Sequence, residues 1–216
     1  MELIEGLETR RSVRAYKPEP LPKELIRKIL ETAKWSPSFG DSQPWEVAIV
    51  TGKKLEEIKD VLGKEIESGA PAKPDLPVPA EWPPEIAARM KAHYEHHQKS
   101  IGRDPKAPRK FGAGKPDFYK APCAVFIFVD KGTTEWSMYD AGLFSQTLIL
   151  AAHNYGVGSC LQAMMTLYPN AVRKFLGIPD SKKLVVGISL GYADAAAEEY
   201  GYKSERDRID KFVKWY

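Results

Sequence analysis

Three arginines and a serine fall within five residues at Arg10-Arg11-Ser12-Val13-Arg14. A guanidinium is a planar fork of donors matched to phosphate oxygens, and a serine hydroxyl adds one more, so the cluster can serve as an anion claw. Charge this dense is as readily a solvated face. A second basic group, Lys203-Ser204-Glu205-Arg206-Asp207-Arg208, precedes an aromatic end at Trp215-Tyr216. Between the two, Ser36-Pro37-Ser38-Phe39-Gly40-Asp41-Ser42-Gln43-Pro44-Trp45 carries two prolines, a glycine and short polar residues, the composition of a loop with defined turns. Such loops present side chains to ligands, or simply join a helix to a strand.

Other chemistry-bearing residues carry weaker signals. His93, His96 and His97 share a helix face at i, i+3 and i+4, a spacing that could hold a metal. No HExxH pattern or neighbouring carboxylate pair accompanies them, and an exposed polar face is the expectation. Cys123 and Cys160 form no metal-ligand spacing. Gly156-Val157-Gly158 closes a helix where the dinucleotide-binding glycine motif would open one.

The elements that position these residues follow from periodicity. Leu3, Ile4 and Leu7 mark a short helix over residues 2–10, and Leu25, Ile26, Ile29, Leu30 and Ala33 line an amphipathic helix from Lys23 to Trp35. A strand is expected at Val47–Val50 and a helix at Lys53–Lys64. Ala124–Val129 is a continuous apolar run, hence a strand covered on both faces. Glu135–Asn154 reads as a long helix, apolar nearly all round, whose polar Asp140 and Gln146 need partners if buried. A short strand at Ser159–Gln162, a helix at Asn170–Leu176 and a core strand at Leu184–Gly191 follow. Residues 70–120 hold most of the prolines, are strongly basic and contain one helical stretch, Glu85–Ser100. They read as an insertion that covers something, too poor in aliphatic residues to own a core.

At 216 residues the whole of 1–216 is expected to be one domain with that insertion, and 43% apolar residues suffice for its core. A net charge of +3 gives no reason to invoke nucleic acid, and no aromatic stacking motif is interleaved with the arginines. The start lacks a signal-peptide layout, and the longest apolar stretch is interrupted by polar residues and glycines. A soluble, cytoplasmic protein with no membrane association is expected. Strands separated by helices make this an α/β or α+β chain.

Arg-Arg-Ser-Val-Arg at 10–14, Ser-Pro-Ser-x-Gly-x-Ser-Gln-Pro-Trp at 36–45, Asp140-x-Gly142-x-x-x-Gln146, Gly156–Gln162 and the late Lys203-Ser204-Glu205-Arg206 resemble, in that order, the FMN-dependent nitroreductase family. The resemblance spans Leu7 to Trp215 and is weakest over the insertion. It implies an α+β fold with a central, mostly antiparallel sheet flanked by helices, in an intertwined homodimer with two FMN sites between subunits. It implies that Arg10, Arg11, Ser12 and Arg14 approach the phosphate, ribityl and pyrimidine side of FMN, with Lys203 and Arg206 completing the phosphate grip. Pro37, Ser38, Phe39, Asp41 and Gln43 would come from the partner subunit. Leu161, Gln162 and Ala163 would lie beside the isoalloxazine, where a backbone N–H can reach N5. Asp41 stands where the family usually has asparagine, and a carboxylate accepts but does not donate.

The implied activity is transfer of hydride from NADH or NADPH to FMN N5 and then to a nitroaromatic, quinone or similar acceptor, by ping-pong. The flavin would carry the chemistry, with no side-chain nucleophile, no metal and a structural Cys160. The insertion, with Trp82, Met90, Tyr94, Phe111, Phe118 and Tyr119, is the candidate substrate lid. Narrower flavoenzyme chemistry (dehalogenation, flavin reduction, enoyl or dehydro oxidation) and a non-catalytic FMN- or phosphate-binding protein are the alternatives.

Overall fold

A computed structural model describes residues 1–104 and 116–216. The chain begins with helix α1 (Leu3–Thr9) and helix α2 (Lys23–Ala33). Strand β1 (Glu46–Thr51) leads directly into α3 (Gly52–Glu67), and α4 (Pro84–Ser100) lies in the proline-rich insertion. Strand β2 (Cys123–Asp130), α5 (Glu135–Asn154), β3 (Gly158–Gln162), α6 (Pro169–Leu176) and β4 (Lys182–Gly191) complete the regular elements. The four strands form one antiparallel sheet in the order β1-β2-β4-β3.

Alternation along β2 builds both cores, because successive strand side chains point to opposite faces. Cys123, Val125, Ile127 and Val129 face α2 and α5, where they meet Ile26, Ile29, Phe144 and Leu148. Ala124, Phe126 and Phe128 face α3 and α6, against Leu55, Ile58, Leu62 and Val172. All of β2 except Asp130 is buried, as its unbroken apolar run requires.

The helix α5 is apolar nearly all round, as expected, and its own chain covers only part of it. Its Trp136 and Tyr139 are 56% and 60% exposed, and Gln146 is exposed too, so one apolar stripe lacks cover within the chain. Leu3, Ile4 and Leu7 of α1 are similarly open, at 69%, 64% and 46%. Phe212, Trp215 and Tyr216 of the tail are exposed as well.

The arginine segment is sewn to the sheet rather than forming part of a helix. Ser12 pairs in parallel with Ser159 on the edge strand β3, and the Val13 N–H donates to the Ser159 carbonyl at 2.9 Å. Tyr16 then bridges antiparallel to Ala193 beyond β4. Close approach is possible because residue 158 is glycine: a Cβ there would meet Val13 Cγ2 at 2.8 Å. Gly187 plays the same part on β4, where a Cβ would sit 2.4 Å from that of Met165. That contact lets the single helical turn Ala163–Thr166 settle on the sheet immediately after β3.

The insertion begins with a buried anchor. Arg173 of α6, 1% exposed, pairs with Asp75, whose carboxylate also accepts the Leu184 N–H at 2.8 Å. Most of α4 is exposed; Gln98 and the following Ile101 are its buried end. At the insertion's far end Phe118, Tyr119 and Lys120 all have left-handed φ values, 51°, 58° and 60°. Asp117 supports that turn, its side chain accepting the Tyr119 N–H at 2.9 Å.

Candidate active site

The two basic clusters, distant in sequence, line one cleft of about 470 Å³. Arg10, Arg11, Ser12 and Arg14 form one wall, by virtue of the pairing to β3, and Lys203, Ser204 and Arg206 form the other. His93 and Tyr202 also line it, and among the described residues Glu8 is the only carboxylate in the lining. Among the described residues no carboxylate lies within ion-pair distance of Arg10, Arg11, Arg14, Lys203 or Arg206. The cations therefore face each other unneutralised. Burial and the Arg206 charge both depress the Arg10 pKa, the direction expected where positive groups lack a counter-ion.

The arginines are not equivalent. Arg11 is committed to the tail, with Nη1 donating to the Tyr200 carbonyl at 2.8 Å and its guanidinium 4.8 Å from that ring's centre. Arg14 donates to the Ser12 carbonyl at 3.3 Å and lies against the Tyr119 hydroxyl. Arg206 uses Nη1 on the Ser204 hydroxyl at 2.6 Å and the Glu205 carbonyl at 2.8 Å, leaving its other donors for a ligand. Arg10 and Lys203 also line the cleft, and among the described residues neither side chain makes a hydrogen bond of this kind.

The loop 36–45 does not line this cleft. Ser36 is buried and donates its hydroxyl to Ala33, ending α2. The Phe39 N–H donates to both carboxylate oxygens of buried Asp140, 3.2 Å from each. Gly40, Asp41 and Gln43 have left-handed φ values of 57°, 56° and 44°. The Gln43 N–H is received by Ser38 Oγ at 3.0 Å, and the Gln43 amide donates to Asp41 Oδ1 at 3.2 Å. Pro37, Phe39, Asp41 and Gln43 are exposed, and the Phe39 ring stacks on Trp136 at 5.3 Å. The loop is thus rigid, outward-facing and spatially separate from its own chain's arginines.

Leu161 and Ala163 are exposed at the end of β3, whereas the Gln162 amide is bound to the Ser189 hydroxyl. That hydroxyl donates onward to the Phe118 carbonyl at 3.0 Å, linking β3 to the left-handed turn. Cys160 is buried, and burial raises its pKa, which keeps it a thiol rather than a nucleophilic thiolate.

Two expectations need correction. Phe118 is 2% exposed and packs edge-on against Phe126, so it is core and does not face a substrate. The histidines are not a merely exposed polar face: His93, His96 and His97 surround the ring of Tyr202. Among the described residues, no group of three or more His, Cys, Asp or Glu side chains is arranged to hold a metal. Trp82 and Met90 are exposed and Tyr94 is half-buried, while Phe111 lies outside the described residues. Sequence reasoning missed Glu8 and Tyr202 in the cleft and Trp136 beneath Phe39, and it singled out His93 for its helical spacing but not for the cleft. Only the histidine spacing offered a signal for any of them.

The profile of the Nitroreductase family matches residues 7–192, and the chain belongs to that family. It is 32% identical to nitroreductase NfnB of Mycolicibacterium smegmatis over 99% of this chain and 91% of the relative. It is 31% identical to a 4-nitrobenzoate reductase of Pseudomonas putida over 95% of this chain and 91% of that protein. Among solved structures, the FMN-dependent NfnB from Mycobacterium smegmatis in complex with NADPH superposes with a TM-score of 0.91 at 27% identity, covering 99% and 97% of the two chains. The FMN- and NADPH-dependent NfnB from sphigopyxis sp. strain HMH gives 0.92 at 28% identity, covering 100% and 99%. No described helix is long and apolar enough to cross a membrane.

Proposed function

We propose that this chain is an FMN-dependent NAD(P)H oxidoreductase that reduces nitroaromatic, quinone or similar small organic acceptors. The observation that carries the reading is the cleft itself, where five cationic side chains and two serines converge and, among the described residues, no carboxylate lies within ion-pair distance of those cations. A phosphate dianion fits that donor set, because each guanidinium gains a charge-assisted partner that the folded chain does not supply. Arg10, Arg14, Lys203 and Arg206 would hold the phosphate side, with Ser12 and Arg11 beside them. Bound FMN would supply the redox chemistry, accepting hydride from NADH or NADPH at N5 and returning it to the acceptor by ping-pong. Leu161 and Ala163, exposed at the end of β3, would form the wall beside the ring, and the buried thiol of Cys160, its pKa raised by burial, would take no part in the reaction.

The working unit in this reading is a homodimer. Pro37, Ser38, Phe39, Asp41 and Gln43 stand on a rigid exposed loop away from their own cleft, which suits delivery to a partner's cofactor. The uncovered faces of α1 and α5 and the exposed tail aromatics supply apolar surface for that association. The 70–120 insertion acts as the substrate lid, with Trp82, Met90 and Tyr94 available, and the assembly works in the cytoplasm.

The test is the visible spectrum of the purified protein, followed by anaerobic NADH or NADPH. A flavin spectrum that bleaches with nucleotide and recovers on adding a nitroaromatic supports the reading. A colourless protein that FMN cannot reconstitute refutes it, and bleaching without recovery points to a flavin-binding protein of narrower chemistry.

A further inference from the structure

Tyr202 is the buried point of an otherwise open tail. It is 6% exposed, whereas the adjoining Lys203 and the following Glu205 and Arg206 are exposed. Its ring is enclosed by the imidazoles of His93, His96 and His97, with centroids 5.4, 5.7 and 4.9 Å away. Its hydroxyl lies 2.7 Å from His93 Nδ1. Arg89, His93, His96 and His97 stand at i, i+4, i+7 and i+8 of α4, so one helix face meets the tail along its length. Arg89 Nε pairs with Asp207 at 2.9 Å and His96 with Glu205 at 3.6 Å, both near the surface. Exposed pairs of this kind contribute little. The enclosed tyrosine is the specific part of the contact.

The consequence for the cleft is positional. Lys203, Ser204 and Arg206 form the wall opposite Arg10 and Arg14, and these like charges repel one another before any anion arrives. Something must hold the walls together. Arg11 does so at Tyr200, and Tyr202 does so on the side of the insertion.

We propose that Tyr202, seated among the three histidines of α4, is a positioning residue that holds Lys203 and Arg206 at the phosphate end of the cleft. The insertion helix thereby sets cofactor affinity as well as covering substrate. This inference rests on the FMN reading. Its signature is selective: the clasp governs the phosphate wall, so its loss weakens FMN and leaves riboflavin, which lacks the phosphate, unaffected.

The experiment is fluorescence titration of flavin-depleted, full-length protein with FMN and with riboflavin. Removing one hydroxyl in Tyr202→Phe is expected to raise the FMN Kd about 3- to 10-fold, the net effect of one hydrogen bond. His93→Ala should match it, and His93→Asn, which restores an acceptor near the Nδ1 position, should bind FMN close to wild type. Riboflavin affinity should stay constant throughout. Unchanged FMN binding in Tyr202→Phe overturns the inference, as does an equal loss for both flavins, which would report general damage. Wild-type protein that binds neither flavin overturns the FMN reading on which the inference stands.

Discussion

The backbone N–H of Phe39 points between the two carboxylate oxygens of Asp140, 3.2 Å from each. One residue lies on the exposed loop 36–45 and the other on the buried side of α5. The bond ties this outward-facing loop to the longest of the described helices. Asp140 is 2% exposed, so truncating it leaves a polar N–H without its partner and the left-handed turn at Gly40 and Asp41 without its support. Asp140→Ala is expected to lower unfolding free energy by about 1.5–3 kcal/mol, the range for a hydrogen bond to a charged group. Urea denaturation measures that loss. Asp140→Asn, which keeps one acceptor, should lose less.

Arg173 is the most deeply buried charge described; it pairs with Asp75 at the start of the insertion and, at 3.6 Å, with the exposed Asp180. The Lys182 carbonyl accepts a further Arg173 bond at 3.0 Å. Removing one member of a buried pair strands the other, a cost of about 3–5 kcal/mol. Asp75→Ala should approach the lower end of that range: it leaves the Leu184 N–H unpaired, while the exposed Asp180 still offers Arg173 an ionic partner. Arg173→Met should be milder, since it removes the charge and fills much of the space. Thermal melts of both variants check the order, and an Asp75→Ala as stable as wild type would contradict it.

Much of this architecture was legible beforehand, for reasons visible in single elements. β2 was readable because a six-residue apolar run rich in β-branched and aromatic residues, Ala124–Val129, favours a covered strand, and α2 because its apolar residues recur at helical spacing. The arginine claw was readable as residue type, yet its convergence with Lys203 and Arg206 depends on the Ser12–Ser159 bridge, which leaves no periodic trace. Tyr202 was invisible for the same reason: a tyrosine in a polar tail gains meaning only when α4 lies over it. Periodicity alone reports the apolar faces of α5, not whether this chain or another covers them.

The phosphate wall offers a graded comparison. Arg14 and Arg206 have donors free for an anion, whereas Arg11 already binds Tyr200. Arg14→Ala and Arg206→Ala should each weaken FMN retention about 10-fold or more, as expected for a lost charge-assisted bond of about 1.5–3 kcal/mol. Arg11→Ala should act partly through the tail. Flavin content after dialysis measures all three, and normal occupancy in both Arg14→Ala and Arg206→Ala would dissolve the claw assignment.

The left-handed run Phe118-Tyr119-Lys120 carries strain of about 1–2 kcal/mol at each non-glycine residue. Lys120 is exposed and is the residue whose side chain can be removed with least collateral loss. Lys120→Gly relieves that strain but adds freedom to the unfolded chain, so a net gain of about 0.5–1 kcal/mol is expected. Lys120→Val, β-branched at the same φ of 60°, should be clearly destabilised. A glycine variant less stable than wild type in urea would show that the lysine side chain contributes more than the backbone strain costs.

Cys123 gives the chain a defined alkaline weakness. The thiol is wholly buried in the sheet, and burial pushes its pKa from the ordinary 9.0 up to about 12. The folded form therefore keeps its proton where the unfolded form loses one. Between those values the native state binds more protons, and stability falls as pH rises, by up to about 1.4 kcal/mol per pH unit for this one group. Cys160 and Tyr16 are shifted upward by burial too, so their contributions have the same sign. Well below pH 9, where the unfolded thiol also keeps its proton, the effect of Cys123 fades. Unfolding free energies measured from pH 8 to 10.5 should decline progressively in wild type and less steeply in Cys123→Ala, whatever the offset between the two proteins. Parallel curves would mean that the buried thiol does not govern the alkaline limb.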